Sequence, residues 1–352
     1  MMFDFAAESG LYRVKSPLNY VGGKFDLLGQ LLAPHTYKNK TRKALVPNNI
    51  ETFVDICCGG FNVGVNMPAK NVIAVDLDKD VISLLTWMRD TPSYEAITTI
   101  EKIVRENGLG KPRNAKVQTA KSNITISTNN DENFEDIPEE SEESIKSPEE
   151  IAYYTLRKRH NTARLTGKST LDGNDLRAVL YTLICHGFNS HIRFGPNGYN
   201  IPFGHRTFNN AMNRNFSEFS DRLRKEQPKL IHADFDYVES LDLGPNDFVY
   251  VDPPYLITTA PYNESGQGWN VEDEINLYNM LDNLDKRGVR FGVSNVIEHK
   301  GIGNPYLGAM AQKYILHDLD YHYNSASHNL KMTKEERKDF PTREVFLTNV
   351  RG

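Results

Sequence analysis

One short motif in this chain combines residue types that can activate an amine for group transfer. An apolar run is followed at once by four residues, Asp252, Pro253, Pro254 and Tyr255. The prolines lack N–H groups and hold the backbone extended, which leaves their carbonyls able to face a ligand. A carboxylate and a carbonyl that accept the two N–H bonds of an exocyclic amine would aim its lone pair at an activated methyl group. We therefore predict that these four residues are catalytic, with the Tyr255 ring stacking on a base flipped out of a duplex.

A second candidate site is a glycine turn. An apolar run that begins at Phe53 ends in Gly59 and Gly60, and such glycines let the backbone approach a ligand closely. Asp76 ends the next apolar run, and an acid roughly 20 residues after a glycine turn is placed to hold ribose hydroxyls. The sequence has no GxGxxG pattern, which argues against a dinucleotide ligand. Taken alone, the glycine pair is as consistent with an ordinary tight turn.

A third candidate is the segment Tyr20 to Lys24, which contains Gly22 and Gly23. Two glycines and a lysine can close over a ligand that bears a carboxylate. The same residues are equally consistent with a loop that starts a helix, and the segment by itself leaves both readings open.

These sites need a scaffold that brings distant parts of the chain to one edge. Short apolar runs predict strands at residues 50–56, 71–76, 248–251, 289–294 and 344–348. Helical spacing predicts helices at residues 27–32, 81–88 and 176–185, and a basic helix that starts near residue 151. Strands that alternate with helices indicate an α/β fold with a doubly wound, mostly parallel sheet. Ligands of such a sheet bind beyond the carboxyl ends of its strands, where Asp76 and Asp252 are expected.

The composition suits a protein with a large core and one acidic segment. The chain has 352 residues, of which 39% are hydrophobic and 25% charged, and its net charge is −5. Residues 131–150 hold ten acids and one base, and without them the chain has 40 basic and 36 acidic residues, a balance of +4. We predict that residues 113–149 form an acidic flexible insert and that the remainder is basic enough to contact phosphate.

Neither a membrane segment nor a metal site is expected. No stretch reaches the roughly 20 apolar residues that span a bilayer, and residues 1–15 lack the apolar core of a secretion signal. The cysteines, Cys57, Cys58 and Cys185, form no CxxC pair and are expected to be small buried hydrophobes. We expect an intracellular protein that requires no metal.

The order of the three candidate sites resembles that of a known enzyme family. The Gly-Gly-Lys segment comes first, the glycine turn second and the Asp-Pro-Pro-Tyr motif last, with about 190 residues between Gly60 and Asp252. This order resembles the Dam-like, D12-class adenine-N6 DNA methyltransferases of the alpha arrangement. Ser294-Asn295 resembles the strand end that follows the motif in that family, and Glu344 to Asn349 resembles its closing strand. The resemblance implies a methyltransferase-type α/β fold with an inserted, mainly helical target-recognition domain.

The resemblance also implies which residues bind S-adenosylmethionine. The expected cofactor-binding residues are Tyr20, Lys24, Asp55, Gly59, Asp76, Asp234, Phe235 and Asp252. Two positions depart from the family pattern, because Phe61 stands where a further glycine is usual and Tyr20 where tryptophan is frequent. An aromatic ring is kept at Tyr20, and the two glycines at 59 and 60 are expected to suffice for the turn.

Double-stranded DNA is the partner that the resemblance implies. The residues expected to contact it are Asn189, Arg193, Asn200, Pro202, His205 and Arg206. They lie around Asn200-Ile201-Pro202-Phe203-Gly204, which resembles the family's Phe-Asn-Val-Pro-Phe-Gly. An arginine can read guanine or hold phosphate, and the sequence leaves both roles open. A basic stretch from Arg157 to Lys168 is as consistent with a solvated helix face as with phosphate contact.

The expected domain division follows the motif order. Residues 1–90 and 228–352 form the catalytic domain, residues 91–112 and 150–227 the target-recognition region, and residues 113–149 the acidic insert. The expected activity is site-specific methylation of N6 on a flipped adenine. It would take place in the cytoplasm of a bacterial or phage-infected cell, with a cognate restriction endonuclease as a further partner.

Other functions are compatible with parts of the sequence. An rRNA guanine-N2 methyltransferase also carries an acidic Pro-Pro-aromatic motif, but the early Gly-Gly-Lys and the long spacing before Asp252 disfavour it. A DNA-binding relative that has lost catalysis is disfavoured by the presence of Asp76, Asp252 and Tyr255. A cytosine-C5 enzyme is disfavoured because no cysteine follows a proline. Residues 255–259 with 262–263 also resemble methylases that accompany type IIS restriction enzymes.

Overall fold

The computed structural model describes most of the chain in several separate stretches. These are residues 13–20, 22–37, 40–110, 147–168, 171, 173, 175–258, 268–320 and 342–351. The predicted acidic insert lies outside the described residues except for residues 147–149. Residues 259 and 262–263, which carried part of the type IIS resemblance, also lie outside them.

Within the described residues, the strands form one large sheet and two small hairpins. In chain order they are β1 (His35–Tyr37), β2 (Lys40–Arg42), β3 (Ile50–Ile56), β4 (Ala69–Asp76), β5 (Phe194–Gly195), β6 (Gly198–Tyr199), β7 (Lys229–His232), β8 (Phe248–Val251), β9 (Arg290–His299), β10 (Ile302–Gly303), β11 (Ile315–Asp318) and β12 (Arg343–Thr348). β1 pairs with β2, and β5 pairs with β6. The large sheet has the order β11-β12-β9-β8-β3-β4-β7, and β10 pairs with β9.

The large sheet is mostly parallel. β9, β8, β3, β4 and β7 run in one direction, whereas β12 is antiparallel to both β9 and β11. From β3 the chain moves outward through β4 and β7, and it then returns to the other side of β3 as β8. The topological switch point, where doubly wound sheets bind ligands, therefore lies between β3 and β8. The predicted α/β fold with a mostly parallel sheet is confirmed.

Six of the eight described helices begin at a residue whose side chain caps them. In chain order they are α1 (Leu28–Leu32), α2 (Lys79–Asp90), α3 (Ser93–Glu106), α4 (Pro148–Thr166), α5 (Leu176–His186), α6 (Asn210–Glu226), α7 (Val271–Lys286) and α8 (Pro305–Met310). Asp78, Asp175 and Asn270 accept hydrogen bonds from the first backbone N–H groups of α2, α5 and α7, which satisfies donors that a helix start leaves unpaired. None of the described helices has the length and apolar character that crossing a membrane requires.

Each face of the sheet is covered by its own apolar layer. On one face, Phe53, Tyr250 and Phe346 pack against the leucines of residues 27–32. On the other face, Val54, Val251 and Val293 pack against α7 and α8. The helices between β4 and β7 form a third cluster around Trp87, Tyr181 and Phe216, so this part of the chain is mainly helical where the structure describes it.

The largest error in a predicted boundary concerns β9. β9 does not end at Ser294-Asn295 but continues to His299. Beyond Ser294 it gains pairing from both β12 and β10, with Val296 opposite Glu344 and Glu298 opposite Gly303. The apolar run in the sequence stops earlier than the strand because the extension is held by strands that lie far away or follow in the chain. By contrast, β3 has the predicted bounds, residues 50–56.

Candidate active site

Asp252 lies at the carboxyl end of β8, beside the switch point. Its backbone N–H donates to the carbonyl of Ile56 (3.3 Å), so the pairing of β8 with β3 extends one residue past β8. Side chains alternate along a strand, so Asp252 points to the same face as Tyr250. The Tyr250 ring stacks on those of Phe53 and Phe346, at centroid distances of 6.3 and 6.5 Å. The strand thus presents a carboxyl group at the end of an aromatic-lined face.

Lys24 reaches Asp252 from the segment that covers this face. Leu27 and Leu28 are fully buried in the apolar layer, and they anchor the segment so that the lysine lies over the end of β8. Lys24 Nζ donates to Asp252 Oδ2 (2.8 Å) and to the carbonyl of Gly22 (2.6 Å). The lysine side chain is only 4% exposed. A charge so deeply buried needs an acid beside it, because leaving a buried charge with no opposite charge costs about 3–5 kcal/mol.

Glu344 is a further acid in this cluster, and it was absent from the predicted site residues. It lies on β12 and faces the same side as Phe346, two residues further on. Its Oε1 accepts a hydrogen bond from the Tyr255 hydroxyl (3.0 Å) and lies 3.7 Å from Lys24 Nζ. The sequence did carry a signal, because Glu344 is the first residue of the predicted apolar strand at residues 344–348. An acid in such a strand is rarely buried unless it is paired. Lys24, Asp252, Tyr255 and Glu344 are called the acid–lysine cluster below.

The remaining residues of the predicted catalytic motif surround this cluster. Pro253 is buried and Pro254 half-buried. The Tyr255 hydroxyl lies 3.2 Å from Asp252 Oδ1, and its ring centroid lies 5.2 Å from Lys24 Nζ. The structure therefore brings the four predicted catalytic residues together with Lys24, which was predicted for the cofactor.

Burial and neighbouring charges perturb the acids on this face. Burial raises the pKa of Asp252, the charge of Glu344 raises it further, and Lys24 opposes both effects. Burial also raises the pKa of Asp55 well above its usual range, although a hydrogen bond from the Gly64 N–H opposes this. Among the described residues at this edge, three acids lie near one cation, Lys24. The acids are Asp55, Asp252 and Glu344. The site therefore favours a ligand that carries or develops positive charge.

The glycine turn joins two of the predicted cofactor segments. The N–H of Gly59 donates to Asp76 Oδ2 (2.8 Å). Gly59 has a left-handed backbone (φ +47°), and a Cβ at this position would lie 2.8 Å from the Tyr20 ring. The ring therefore lies directly on the turn, which only glycine permits. Tyr20, Gly59 and Asp76 are thus brought together at the ends of β3 and β4.

Phe61 holds a left-handed backbone (φ +61°) without being a glycine. A non-glycine residue loses about 1–2 kcal/mol in this conformation. The Phe61 ring is fully buried, and burying such a ring contributes about 2 kcal/mol, which offsets the strain. A Cβ at Gly64 would meet this ring at 2.1 Å, and the Gly64 N–H donates to Asp55 Oδ2 (2.8 Å). The turn thus has its own packing around the residue that departs from the family pattern.

Asp234 and Phe235 lie just past the carboxyl end of β7. The exposed Asp234 side chain accepts a hydrogen bond from the N–H of Phe235 (2.7 Å). The Phe235 ring packs on Trp269, with centroids 5.6 Å apart, and Trp269 was not predicted. Its signal in the sequence was weak, since an isolated tryptophan is compatible with many structural roles.

The groups at the ends of β3, β4 and β7 fit a nucleoside ligand. Each oxygen of Asp76 accepts a hydrogen bond from a backbone N–H, Oδ2 from Gly59 and Oδ1 from Asp78 (2.8 Å each). A carboxylate oxygen has a second lone pair, so each can still accept a ribose hydroxyl. The flat ring of Phe235 and the exposed carboxylate of Asp234 suit an adenine ring and its amino group. Asp55 faces the acid–lysine cluster instead, and it is tied to Gly64.

The predicted DNA-contacting residues lie on a loop and hairpin between α5 and α6. Asn189 has a left-handed backbone (φ +53°), and its carbonyl accepts a hydrogen bond from Asn19 Nδ2 (2.6 Å). Asn19 also forms an isolated β-bridge with His191. The loop is therefore attached to the residue immediately before Tyr20, so the predicted DNA surface and the predicted cofactor segment are neighbours.

Arg193 and Asn200 face each other across the β5–β6 hairpin. Arg193 Nε donates to Asn200 Oδ1 (2.8 Å), and both residues are exposed. Pro202, His205 and Arg206 follow and are exposed as well, with the His205 ring 4.9 Å from that of Phe203. All five residues are thus exposed, on the hairpin and on the segment that follows it.

Two arginines of the basic helix α4 make internal contacts. Arg164 forms an ion pair with Asp80 (2.6 Å) and lies 4.9 Å from the Phe194 ring centroid. Arg157 donates to the carbonyl of Ile201 (2.8 Å). They hold the hairpin region against α2 and α4, which favours a structural role over the phosphate contact that the sequence left open.

The cysteines carry no sign of a special role. Cys58 and Cys185 are buried as predicted, whereas Cys57 is half-buried; it directly follows β3 and has a left-handed backbone (φ +55°). In the part of the chain that the structure describes, His, Cys, Asp and Glu side chains form no group of three or more able to hold a metal ion.

Comparisons with known proteins agree with this geometry. The family model for D12 class N6 adenine-specific DNA methyltransferases matches residues 20–335. Type II methyltransferase M.FokI of Planomicrobium okeanokoites is 35% identical over 342 residues, which cover 96% of this chain and 43% of that protein. Modification methylase StsI of Streptococcus sanguinis is 33% identical, with coverages of 96% and 43%. Modification methylase LlaI of Lactococcus lactis subsp. lactis is 29% identical, with coverages of 95% and 43%. The chain thus spans less than half the length of these three relatives.

Proposed function

Because this chain belongs to the D12 class N6 adenine-specific DNA methyltransferase family, we propose that it methylates the exocyclic N6 amine of a specific adenine in duplex DNA. The observation that carries the proposal is the position of Asp252. It lies at the carboxyl end of β8, within 2.8 Å of Lys24 Nζ, and two prolines and a tyrosine follow it.

The chemistry asked of Asp252 is orientation rather than proton removal. The lone pair of an adenine amine is delocalised into the ring, so the amine is a poor nucleophile. In the proposed site, Asp252 accepts one N–H of the amine, and a carbonyl of Pro253 or Pro254 accepts the other. This directs the nitrogen lone pair outward and offsets the positive charge that develops on nitrogen. The Tyr255 ring stacks on the flipped base.

The methyl donor in this proposal is S-adenosylmethionine, which supplies a methyl group on a positively charged sulfur. Asp76 binds the ribose hydroxyls, Asp234 and Phe235 hold the adenine, and the Gly59 turn with Tyr20 closes beside it. Lys24 and Asp55 complete the proposed cofactor site. The support is the placement of these residues at the ends of β3, β4 and β7 and in the segment that covers β8.

The exposed hairpin surface is proposed to contact DNA. Its residues are Asn189, Arg193, Asn200, Pro202, His205 and Arg206. The proposed division of labour gives residues 1–90 and 228–352 to catalysis and residues 91–112 and 150–227 to target recognition. The attachment of the loop at Asn189 to Asn19 supports a DNA surface next to the catalytic cleft.

A restriction endonuclease is the proposed biological partner. Relatives that match over most of this chain are named type II methyltransferase or modification methylase, and such names describe the protective half of a restriction-modification pair. A DNA substrate implies that the protein acts in the cytoplasm of a bacterial or phage-infected cell. The proposed reaction needs no metal.

The direct test is methyl transfer from labelled S-adenosylmethionine to unmethylated duplex DNA, with ribosomal RNA in a parallel reaction. We expect label in DNA, recovered as N6-methyladenine by nucleoside mass spectrometry. Asp252→Ala should lower the transfer rate by about 100-fold or more, because electrostatic positioning of this kind contributes that much. DNA binding by the variant, measured by fluorescence anisotropy, should stay near wild type.

Asp242→Ala is the matched control, because Asp242 is an exposed acid ten positions before the motif, and it should transfer at the wild-type rate. Label only in RNA, or as a base other than N6-methyladenine, would overturn the proposed substrate. Wild-type turnover by Asp252→Ala would overturn the catalytic assignment.

A further inference from the structure

Both oxygens of Asp252 already have hydrogen-bond donors before any substrate amine arrives. Lys24 Nζ lies 2.8 Å from Oδ2, and the Tyr255 hydroxyl lies 3.2 Å from Oδ1. These donors withdraw negative charge from the carboxylate that the proposed reaction needs as an acceptor. An amine that binds Asp252 must fit beside these donors, on the lone pairs that they leave.

Glu344 offers the same two donors a second acceptor. Its Oε1 lies 3.0 Å from the Tyr255 hydroxyl, slightly closer than Asp252 Oδ1. A hydroxyl has one proton, so Tyr255 can donate to only one of the two acids at a time. Lys24 Nζ lies 3.7 Å from Glu344 Oε1, so a shift of less than an ångström, by the usual N–H···O distances, would bring it within hydrogen-bond reach.

The position of Glu344 is held firmly by the sheet. It lies on β12 opposite Val296 of β9, and its side chain is 2% exposed. Water therefore cannot supply the alternative acceptor at this point, and an acid without nearby donors would be costly there. On the side of Asp252, this carboxyl group lies beside the Tyr255 hydroxyl and, at 3.7 Å, Lys24 Nζ.

We propose that Glu344 is a positioning residue that takes over the hydrogen bonds of Tyr255 and Lys24 when the adenine amine binds Asp252. The exchange frees Oδ1 of Asp252 for the amine and keeps Lys24 paired throughout. It also leaves Asp252 with fewer donors of its own, so more of its negative charge faces the positive charge that develops on the amine nitrogen. This inference rests on the proposed methyltransferase function.

The test is single-turnover methylation by Glu344→Gln, which keeps the shape but removes the charge. We expect the transfer rate to fall by about 10- to 100-fold, the range for a displaced reacting group, while binding of S-adenosylmethionine stays within about two-fold of wild type. Glu298→Gln, on the neighbouring strand β9 and exposed, is the matched control and should match wild type. Glu344→Asp, which keeps the charge on a shorter side chain, should recover part of the rate.

Two further readouts separate this role from a merely structural one. The charged groups described around Asp252 are Lys24, Glu344 and Asp55. Since Glu344 raises the pKa of Asp252, Glu344→Gln should move the acid limb of the rate–pH profile to lower pH. In a double-mutant cycle with Tyr255→Phe, the effect of Glu344→Gln on the transfer rate should be smaller. The reason is that Tyr255→Phe removes the hydroxyl that would donate a hydrogen bond to Glu344.

The outcomes distinguish the two proposals. If the wild-type protein transfers no methyl group to adenine, the proposed function falls and the role of Glu344 falls with it. If wild type is active and Glu344→Gln keeps its rate, only the role of Glu344 is overturned. Fully additive effects in the cycle, or an acid limb that does not move, would also overturn it. If Glu344→Gln melts at a much lower temperature than wild type, the comparison is made with Glu344→Asp instead. A transfer rate that falls in proportion to the melting temperature in that variant would indicate a structural role alone and would overturn the positioning role.

Discussion

Two buried acid clusters lie on opposite faces of the same sheet, and they are built on different plans. In the acid–lysine cluster, Asp252 and Glu344 share the donors Lys24 and Tyr255. On the other face, Glu274 at the start of α7 is fully buried and receives several neutral donors of its own. Those donors are Trp269 Nε1 (2.6 Å), Tyr278 OH (2.6 Å), Asn304 Nδ2 (2.9 Å) and Asn295 Nδ2 (3.3 Å). We call these five residues the Glu274 network.

The difference lies in the ratio of acceptors to donors. In the Glu274 network, donors outnumber the acid, so each oxygen is satisfied and the arrangement is rigid. In the acid–lysine cluster, acids outnumber the cation, and each donor has two acids within reach. A surplus of acceptors raises the energy of the resting state and leaves alternatives open, which suits a site that must receive a further donor. We propose that the first arrangement stabilises the fold and that the second prepares a reaction.

The largest expected effect is on stability, from Glu274→Ala. The substitution removes the acceptor of four donors, three of them on the buried residues Tyr278, Asn295 and Asn304, and an unsatisfied buried polar group costs about 1–3 kcal/mol. We expect the free energy of unfolding to fall by about 3 kcal/mol or more, measured by urea denaturation followed by circular dichroism.

Two variants sharpen this first prediction. Glu272→Ala, exposed on the same helix turn, should lower stability by less than about 1 kcal/mol, since it loses only an interaction with the helix dipole. Asp252→Ala should also have a small effect, because Lys24 keeps Glu344 nearby (3.7 Å). If Asp252→Ala destabilises as much as Glu274→Ala, the contrast between the clusters is wrong.

The second prediction concerns pH and Lys24. Protonated Asp252 cannot serve as a carboxylate acceptor, so the transfer rate should fall as pH falls through the pKa of Asp252. Lys24 lowers that pKa against the effect of burial, so Lys24→Met should move the acid limb of the rate–pH profile to higher pH. The measurement is single-turnover transfer at saturating S-adenosylmethionine across a pH series.

The linkage to stability has a definite sign. Because the folded-state pKa of Asp252 is raised, its contribution to stability is present at low pH and is lost as pH rises through that pKa.

Lys70→Met, which removes an exposed lysine near Glu51, is the control for Lys24→Met and should leave the acid limb of the rate–pH profile in place. An acid limb that moves to lower pH in Lys24→Met would contradict the proposed pairing.

The smallest expected effect is that of Trp269→Phe. The substitution keeps an aromatic ring against Phe235 but removes the Nε1–H that donates to Glu274. Glu274 retains its other donors, so we expect a loss of about 1–2 kcal/mol, read from the urea midpoint. Tyr94→Phe removes an exposed hydrogen bond to Glu95 and should change stability by less than about 0.5 kcal/mol. Equal losses in the two variants would mean that burial does not strengthen the Glu274 network.

Much of the fold was predictable because its signals are local. β3 was predicted with its observed bounds, and β8 likewise, since an apolar run bounded by polar residues marks a buried parallel strand. The end of β9 was missed because its last residues are held by β10 and β12 rather than by their own pattern. The left-handed backbone at Phe61 was not predicted, because it depends on the packing of the ring around Gly64.

The candidate site divides in the same way. The residue types that carry the proposed chemistry could be read directly from the sequence. They are Asp252 before two prolines, the glycine turn and the acid at the end of β4. Their order along the chain was enough to indicate the family.

Which groups meet depends on the folded chain. Lys24 pairs with Asp252 across 228 positions of sequence, and Glu344 joins them from the last described strand. Neither contact leaves a periodic or compositional mark, because it depends on the order of the strands, on their register and on which face each side chain takes. These three properties can be seen only in the folded chain. Glu344, which we propose to position the reacting groups, could therefore be identified only from the structure.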